Sequence, residues 1–247
     1  MTELAVGGWV LLVIAALIVG LSKAALPGAS TLAVAIFAAI LPAKQSTATL
    51  LVLLIVGDVF ALWAYRRHAD WRALGRLVPA VAAGLVLGAI FLVLADDAWV
   101  RRTIGVILLI LIAVTLWRRY ARRGEPASAG ARWPAATAYG SLGGFTTMVA
   151  NAGGPVMSMY FLASGFRVMA FLGTAAWFFA LVNLTKLPIM FGLGLVTPGT
   201  LLMDLLLVPA VLVGAFGGRM IAGRINQTWF ERIVIILTIV GALYLLI

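Results

Sequence analysis

Ten apolar segments follow one another along this chain with only short connections between them. They cover residues 4–22, 25–42, 46–65, 74–95, 99–117, 134–150, 153–165, 168–191, 200–222 and 229–247. A helix through the hydrocarbon core of a bilayer needs roughly 20 apolar residues, with about 17–25 usual. The chain is therefore read as an all-α integral membrane protein. No interval is large enough for a soluble domain. The longest polar stretch runs from Trp117 to Trp133 and reads as a linker. Segment seven is short for a crossing, and segment two carries Pro27-Gly28 near its start, so for both a half-helix stands beside a full span as the reading.

Composition agrees. Hydrophobic residues make up 64% and charged residues 11% of the chain, against about 45–50% and about 25% in a soluble domain. Too little polar surface exists to coat a water-soluble globule. Disorder, a disulfide scaffold and a coiled coil are excluded on the same ground. The absence of cysteine rules out disulfides, zinc–thiolate sites and iron–sulfur clusters, and the single histidine, His68, rules out a His–His metal pair. No cofactor is expected.

The net charge of +10 does not point to nucleic acid, because the arginines cluster between apolar runs as cytoplasmic loops do. Thirteen basic residues fall on one side of the expected topology: Arg66, Arg67, Arg72, Arg76, Arg118, Arg119, Arg122, Arg123, Arg132, Arg167, Arg219, Arg224 and Arg232. Lys44, Arg101 and Arg102 make three on the other, beside Asp96 and Asp97. This bias places the Arg118–Arg132 linker in the cytoplasm and both termini outside. Met1–Ser22 lacks the positive start of a signal peptide and is read as a retained span.

Segments four and five match nine and ten. Leu77-Val78-Pro79-Ala80-Val81 corresponds to Leu207-Val208-Pro209-Ala210-Val211, Gly84 and Gly88 to Gly214 and Gly218, and Trp99 and Arg102 to Trp229 and Arg232. Every pair is 130 residues apart, without a gap. Upstream, Thr49 matches Thr174 and Asp58 matches Asn183 at a spacing of 125. The openings are also alike, Lys23 to Gly28 in one half and Asn151 to Pro155 in the other. Each half holds five segments, and an odd number inverts the second half relative to the first, as in many secondary transporters. Parity survives if the first pair of each half is a re-entrant hairpin. The organisation expected is a first membrane repeat over 1–118, a basic cytoplasmic linker over 119–133 and a second repeat over 134–247.

The turns opening each half are the first candidates for chemistry. Glycine lets a ligand approach the backbone, and proline near a helix start sacrifices no needed amide. Irregular backbone at membrane depth is tolerated where it is buried or lines a wet cavity. Helix starts after Pro27 and Pro155 would offer amides to an anion; ordinary surface turns are the plain alternative. Lys186, in Asn183-Leu-Thr-Lys186-Leu-Pro188, and Lys23 are ionisable residues in or beside spans. They either serve a substrate or snorkel to the headgroups. Asp58, in the middle of segment three, is read as a proton carrier, a partner for a lysine or a neutral packing acid. Ser22, Ser30, Thr31, Thr47, Thr49, Ser158 and Thr174 are small polar residues that bind ligand oxygens or bond between helices. Gly84-x-x-x-Gly88 and Gly214-x-x-x-Gly218 are contact faces, read as packing the halves together, with a homodimer as their other use. Trp71, Trp99, Trp133 and Trp229 read as interfacial anchors.

There is no HExxH, no Walker loop and no GxGxxG followed by a ribose-binding acid. The only histidine lies in a basic loop, so no serine–histidine pair forms among the spans. Catalysis is not expected, and without an ATP site transport would run on a gradient or passively.

The two-fold repeat, the Lys23–Gly28 and Asn151–Pro155 turns and the Val78–Gly88 and Val208–Gly218 elements resemble the sulfite exporter TauE/SafE family, also called the 4-toluene-sulfonate uptake permease family, over nearly the whole chain. The resemblance implies movement of sulfur-containing or organic anions, such as sulfite, sulfoacetate or sulfonates, across the bacterial inner membrane. One departure is that Ser22-Lys23-Ala24-Ala25-Leu26 holds a lysine where the family's turn is often richer in glycine.

The expected function is secondary transport of small anions by alternating access, with the lipid bilayer and a small anionic substrate as partners. A passive anion channel and a non-transporting scaffold subunit are the competing readings. Inverted repeats and ionisable residues in spans favour transport. The expected substrate-binding set is Ser22, Lys23, Pro27, Gly28, Asn151, Gly153, Gly154, Pro155, Asn183 and Lys186, with Asp58 as a proton-coupling residue and no metal.

Overall fold

A computed structural model describes residues 5–24, 29–121, 133–166 and 168–221. All the regular elements among them are helical: α1 (Val6–Ala24), α2 (Ser30–Ile40), α3 (Ala43–Tyr65), α4 (Trp71–Leu94), α5 (Asp97–Ala121), α6 (Trp133–Ala150), α7 (Gly153–Ala163), α8 (Val168–Gly192) and α9 (Pro198–Ile221), with a 3-10 turn at Arg66–His68. Five of them, α1, α3, α4, α8 and α9, are long and apolar enough to cross a membrane. The tenth segment, most of the linker, Arg167, and the site candidates Pro27 and Gly28 lie outside the described residues.

The helices start and stop where local chemistry requires. Asp70 caps α4, its carboxylate accepting from the amides of Arg72 and Ala73, both at 3.0 Å. Asp97 caps α3 from a distance, accepting from the amides of Ala43 and Lys44, each at 3.0 Å. These bonds satisfy helix-start amides that have no partner within their own helix. The two segments with a half-helix among their readings are short: α2 and α7 have 11 residues each. At 1.5 Å per residue that is about 16 Å, roughly half the hydrocarbon thickness.

Helix direction follows from which residues touch. Gly214 lies against Leu17 and Gly218 against Leu21, so α1 and α9 run parallel. Gly140 lies against Leu77 and Ala80, and Gly88 against Met148, so α4 and α6 run parallel. Phe60 packs on Phe216 with ring centroids 5.0 Å apart, and Arg219 stacks over Trp63, which makes α3 parallel to α9 as well. Trp177 bonds the Arg66 carbonyl while Asn183 bonds Asp58, so α3 and α8 run antiparallel. The chain leaves α1 beside the end of α3, where the Tyr65 hydroxyl donates to the Ala24 carbonyl at 2.9 Å. It must retrace its path through α2 to begin α3. The first opening pair is therefore one full-length and one half-length helix, and in the second pair α6 has 18 residues and α7 has 11. Ser22 and Lys23, read from the sequence as part of the first turn, belong to the last turn of α1.

The small-residue faces seat one half on the other. A Cβ at Gly20 would strike the Val211 carbonyl and the Ala215 amide, and one at Gly144 the Val81 carbonyl and the Leu85 amide. Val81 and Leu85 precede Val211 and Ala215 by 130 positions. Likewise Gly84 meets the Ser141 carbonyl and Gly214 the Leu17 carbonyl. The first helix of each half thus packs, backbone to backbone, on the fourth helix of the other. Only glycine permits this approach.

Candidate functional site

Where α1 ends and α3 passes its middle, Lys23 and Asp58 form an ion pair through Nζ and Oδ1. Their side chains are 10% and 2% exposed. Gly57 makes room, since a Cβ there would collide with the Lys23 stem. The other oxygen of Asp58 accepts from Asn183 Nδ2 of α8 at 2.6 Å. Lys23 Nζ also sits 4.8 Å from the centroid of the Phe179 ring, within reach of its negative face. Of the readings open for Asp58, the geometry is that of a lysine partner. Ser22, on the preceding residue, accepts from the Ser30 amide at 3.1 Å. It caps the start of α2, so that amide already has a partner.

The second half's break is built differently. Asn151 ends α6 with φ 51°, the left-handed conformation that asparagine tolerates better than most residues. Its amide donates to the Thr147 carbonyl at 3.0 Å. Asn151 Nδ2 donates to the Thr47 carbonyl at 2.8 Å, and Thr47 Oγ1 returns a bond to the Val149 carbonyl at 3.0 Å. Lys186, fully buried on α8, donates to the Thr147 carbonyl at 2.6 Å and to Asn151 Oδ1. It does not snorkel. Gly153 opens α7 directly against the Thr147 side chain, and Pro155 stands in the first turn of that helix.

Residues on either side of the first break and at the second border a cavity of about 40 Å³. Ser22, Lys23 and Asp58 face it from the first half, and Asn151, Gly154 and Asn183 from the second. Leu54, Leu172 and Phe179 supply apolar wall. Asn183 Oδ1, buried, has no hydrogen-bond partner among the described residues. Of the expected site residues described, Gly153, Pro155 and Lys186 do not line the cavity. Lys186 stands behind its wall and reaches it through Asn151 and Thr147.

Thr147, Phe179 and Asp204 were not foreseen. Thr147 lines the cavity and accepts from Lys186; a threonine in a glycine-rich span gives little signal. Asp204, 2% exposed on α9, has neither carboxylate oxygen bonded among the described residues. Its signal was present, a lone acid in the apolar run 200–222. No group of three or more metal-ligating side chains occurs among the described residues.

Comparison with curated proteins and with solved structures gave no match. The family model described as sulfite exporter TauE/SafE matches residues 12–245. The match takes in both breaks, the Lys23–Asp58 pair and both glycine faces. By that coverage, and in keeping with its membrane-length helices, the chain belongs to the sulfite exporter TauE/SafE family.

Proposed function

We propose that this protein is a secondary transporter of small anions, sulfite, sulfoacetate or short sulfonates among them, working by alternating access between two inverted halves in a bacterial inner membrane. The observation that carries the reading is the shared cavity: a lysine ammonium, Ser22 and Ser30 of the first half and Asn151 and Gly154 at the break of the second border the same small space. The exchanged contacts of α1 with α9 and of α6 with α4, and the antiparallel run of α3 and α8, support inversion.

The site suits a weakly held anion. Lys23 supplies charge, Asn183 and the start of α7 supply polar groups, and the apolar wall lowers the local dielectric. Asp58 competes for the same ammonium. An anion must share Lys23 with it, unless Asp58 takes up a proton and releases the lysine. That competition links anion binding to proton binding and provides for release.

Flux into proteoliposomes tests the proposal, with sulfite, sulfoacetate and small carboxylates offered with and without a pH gradient. Saturable flux of at least one of these anions is expected, changed by the gradient and lost in Lys23→Met. Absence of saturable flux for all of them would overturn it.

A further inference from the structure

The amino group of Lys186 stands at the broken end of α6. The carbonyls at the end of a helix together carry about half a negative charge, and the Thr147 carbonyl keeps a second lone pair after accepting the Asn151 amide. In transporters with discontinuous helices, such ends and the unwound carbonyls beside them commonly bind an alkali cation. Here the position is filled from within the chain. Lys186 comes from α8, is fully buried, and donates to the Thr147 carbonyl and to Asn151 Oδ1. Thr47 of α3 closes the other side, accepting from Asn151 Nδ2 and donating to the Val149 carbonyl. No carboxylate is ion-paired with Lys186 among the described residues. A buried ammonium without a counter-ion is costly unless other groups solvate it; at this helix end, carbonyl and amide oxygens do so.

We infer that Lys186 is a tethered cation: its ammonium takes the place of a free alkali ion at the end of α6 and holds the amide of Asn151 in one orientation. Lys186 is then a positioning residue, acting on the cavity through Asn151. Asn151 is held at both ends, its oxygen by Lys186 and its nitrogen by Thr47. Three helices from both halves are joined at this point, and stability there needs no sodium or potassium.

Thermal unfolding of the purified full chain tests the inference without relying on transport, so its failure is separable from failure of the anion-transport reading. Lys186→Ala removes the ammonium and opens a space matching n-propylammonium. Loss of the ammonium leaves the Thr147 carbonyl and Asn151 Oδ1 short of a donor beside a cavity, so the unfolding midpoint is expected to fall by about 5–10 °C and to recover most of that loss when n-propylammonium is added. Lys186→Met fills the space without charge. It should fall similarly and gain nothing from the amine. Wild type should show the same midpoint in sodium, potassium or N-methylglucamine chloride. A Lys186→Met protein as stable as wild type would overturn the inference, as would absence of amine rescue in Lys186→Ala. Should neither variant fold, the wild-type comparison still decides: a midpoint that depends on sodium or potassium would show that a free cation is needed after all.

Discussion

Asp58 and Asn183 stand 125 positions apart and meet, Asn183 Nδ2 donating to Asp58 Oδ2 at 2.6 Å. They are the positions that the upstream part of the internal match pairs with each other. Such a contact is what the proposed inversion of the halves would produce if its axis passed between them. The pair differs in chemistry, however. Asp58 bears charge and binds Lys23, whereas Asn183 is neutral and keeps Oδ1 unbonded among the described residues. Positions that match in the sequence thus differ in charge at the cavity.

Asp58→Asn mimics the protonated acid and frees Lys23 for a ligand. Apparent affinity for sulfite in binding measurements is expected to rise several-fold, while the effect of a pH gradient on flux disappears. A variant whose flux still follows the gradient as in wild type would exclude Asp58 from proton coupling.

Lys23→Met leaves the Asp58 carboxylate buried with one partner fewer. Loss of one member of a buried pair typically costs about 3–5 kcal/mol. The midpoint of thermal unfolding should fall, and anion affinity should weaken at least about tenfold. Lys23→Met/Asp58→Asn should regain much of the stability but not the affinity. Calorimetry and flux measured on the same preparations separate the two effects.

Gly84→Val and Gly214→Val should be equally damaging, because each drives a side chain into a backbone carbonyl of the other half, that of Ser141 or Leu17. Overpacking of this kind costs about 1–3 kcal/mol or more. Gly75→Ala, which meets nothing within 4 Å, should be tolerated. Yield and midpoint of the purified variants provide the measurement.

Asp204→Asn is expected to raise the unfolding midpoint. A buried carboxylate without a bonded partner among the described residues is costly when charged, and a neutral amide of the same shape is less so. A gain of about 1 kcal/mol would shift the midpoint by roughly 2–4 °C. A loss of stability would mean that Asp204 has a bonding partner beyond the described residues.

A cysteine at Ala127 reports the side of the linker. The arginine bias predicts that membrane-impermeant maleimide leaves it unlabelled in intact cells and labels it once the membrane is opened. Labelling from outside would reverse the topology.

The order of apolar runs was enough to determine the helices, because hydrocarbon leaves each span to satisfy its own backbone. The shortness of segment seven and Pro27-Gly28 near the start of segment two raised the half-helix reading beside the full-span one, and the 11-residue lengths of α2 and α7 decided it. The 130-residue spacing of Gly84 and Gly88 from Gly214 and Gly218 identified the faces that pack the halves. These are one-dimensional signals: length, period and repetition. Only the tertiary structure decided the partners. Lys23 and Lys186 are both lysines in or beside spans, yet one faces the cavity and pairs with Asp58, while the other caps α6 behind the wall. Hydropathy does not tell which face of a helix turns toward which neighbour. That depends on close approach at glycines, of backbone to backbone at Gly20 and Gly144 and of the Lys23 stem at Gly57. Asn151 shows the same limit: its residue type allowed a left-handed turn, but the bonds from Lys186 and to Thr47, brought from α8 and α3, hold its side chain in place.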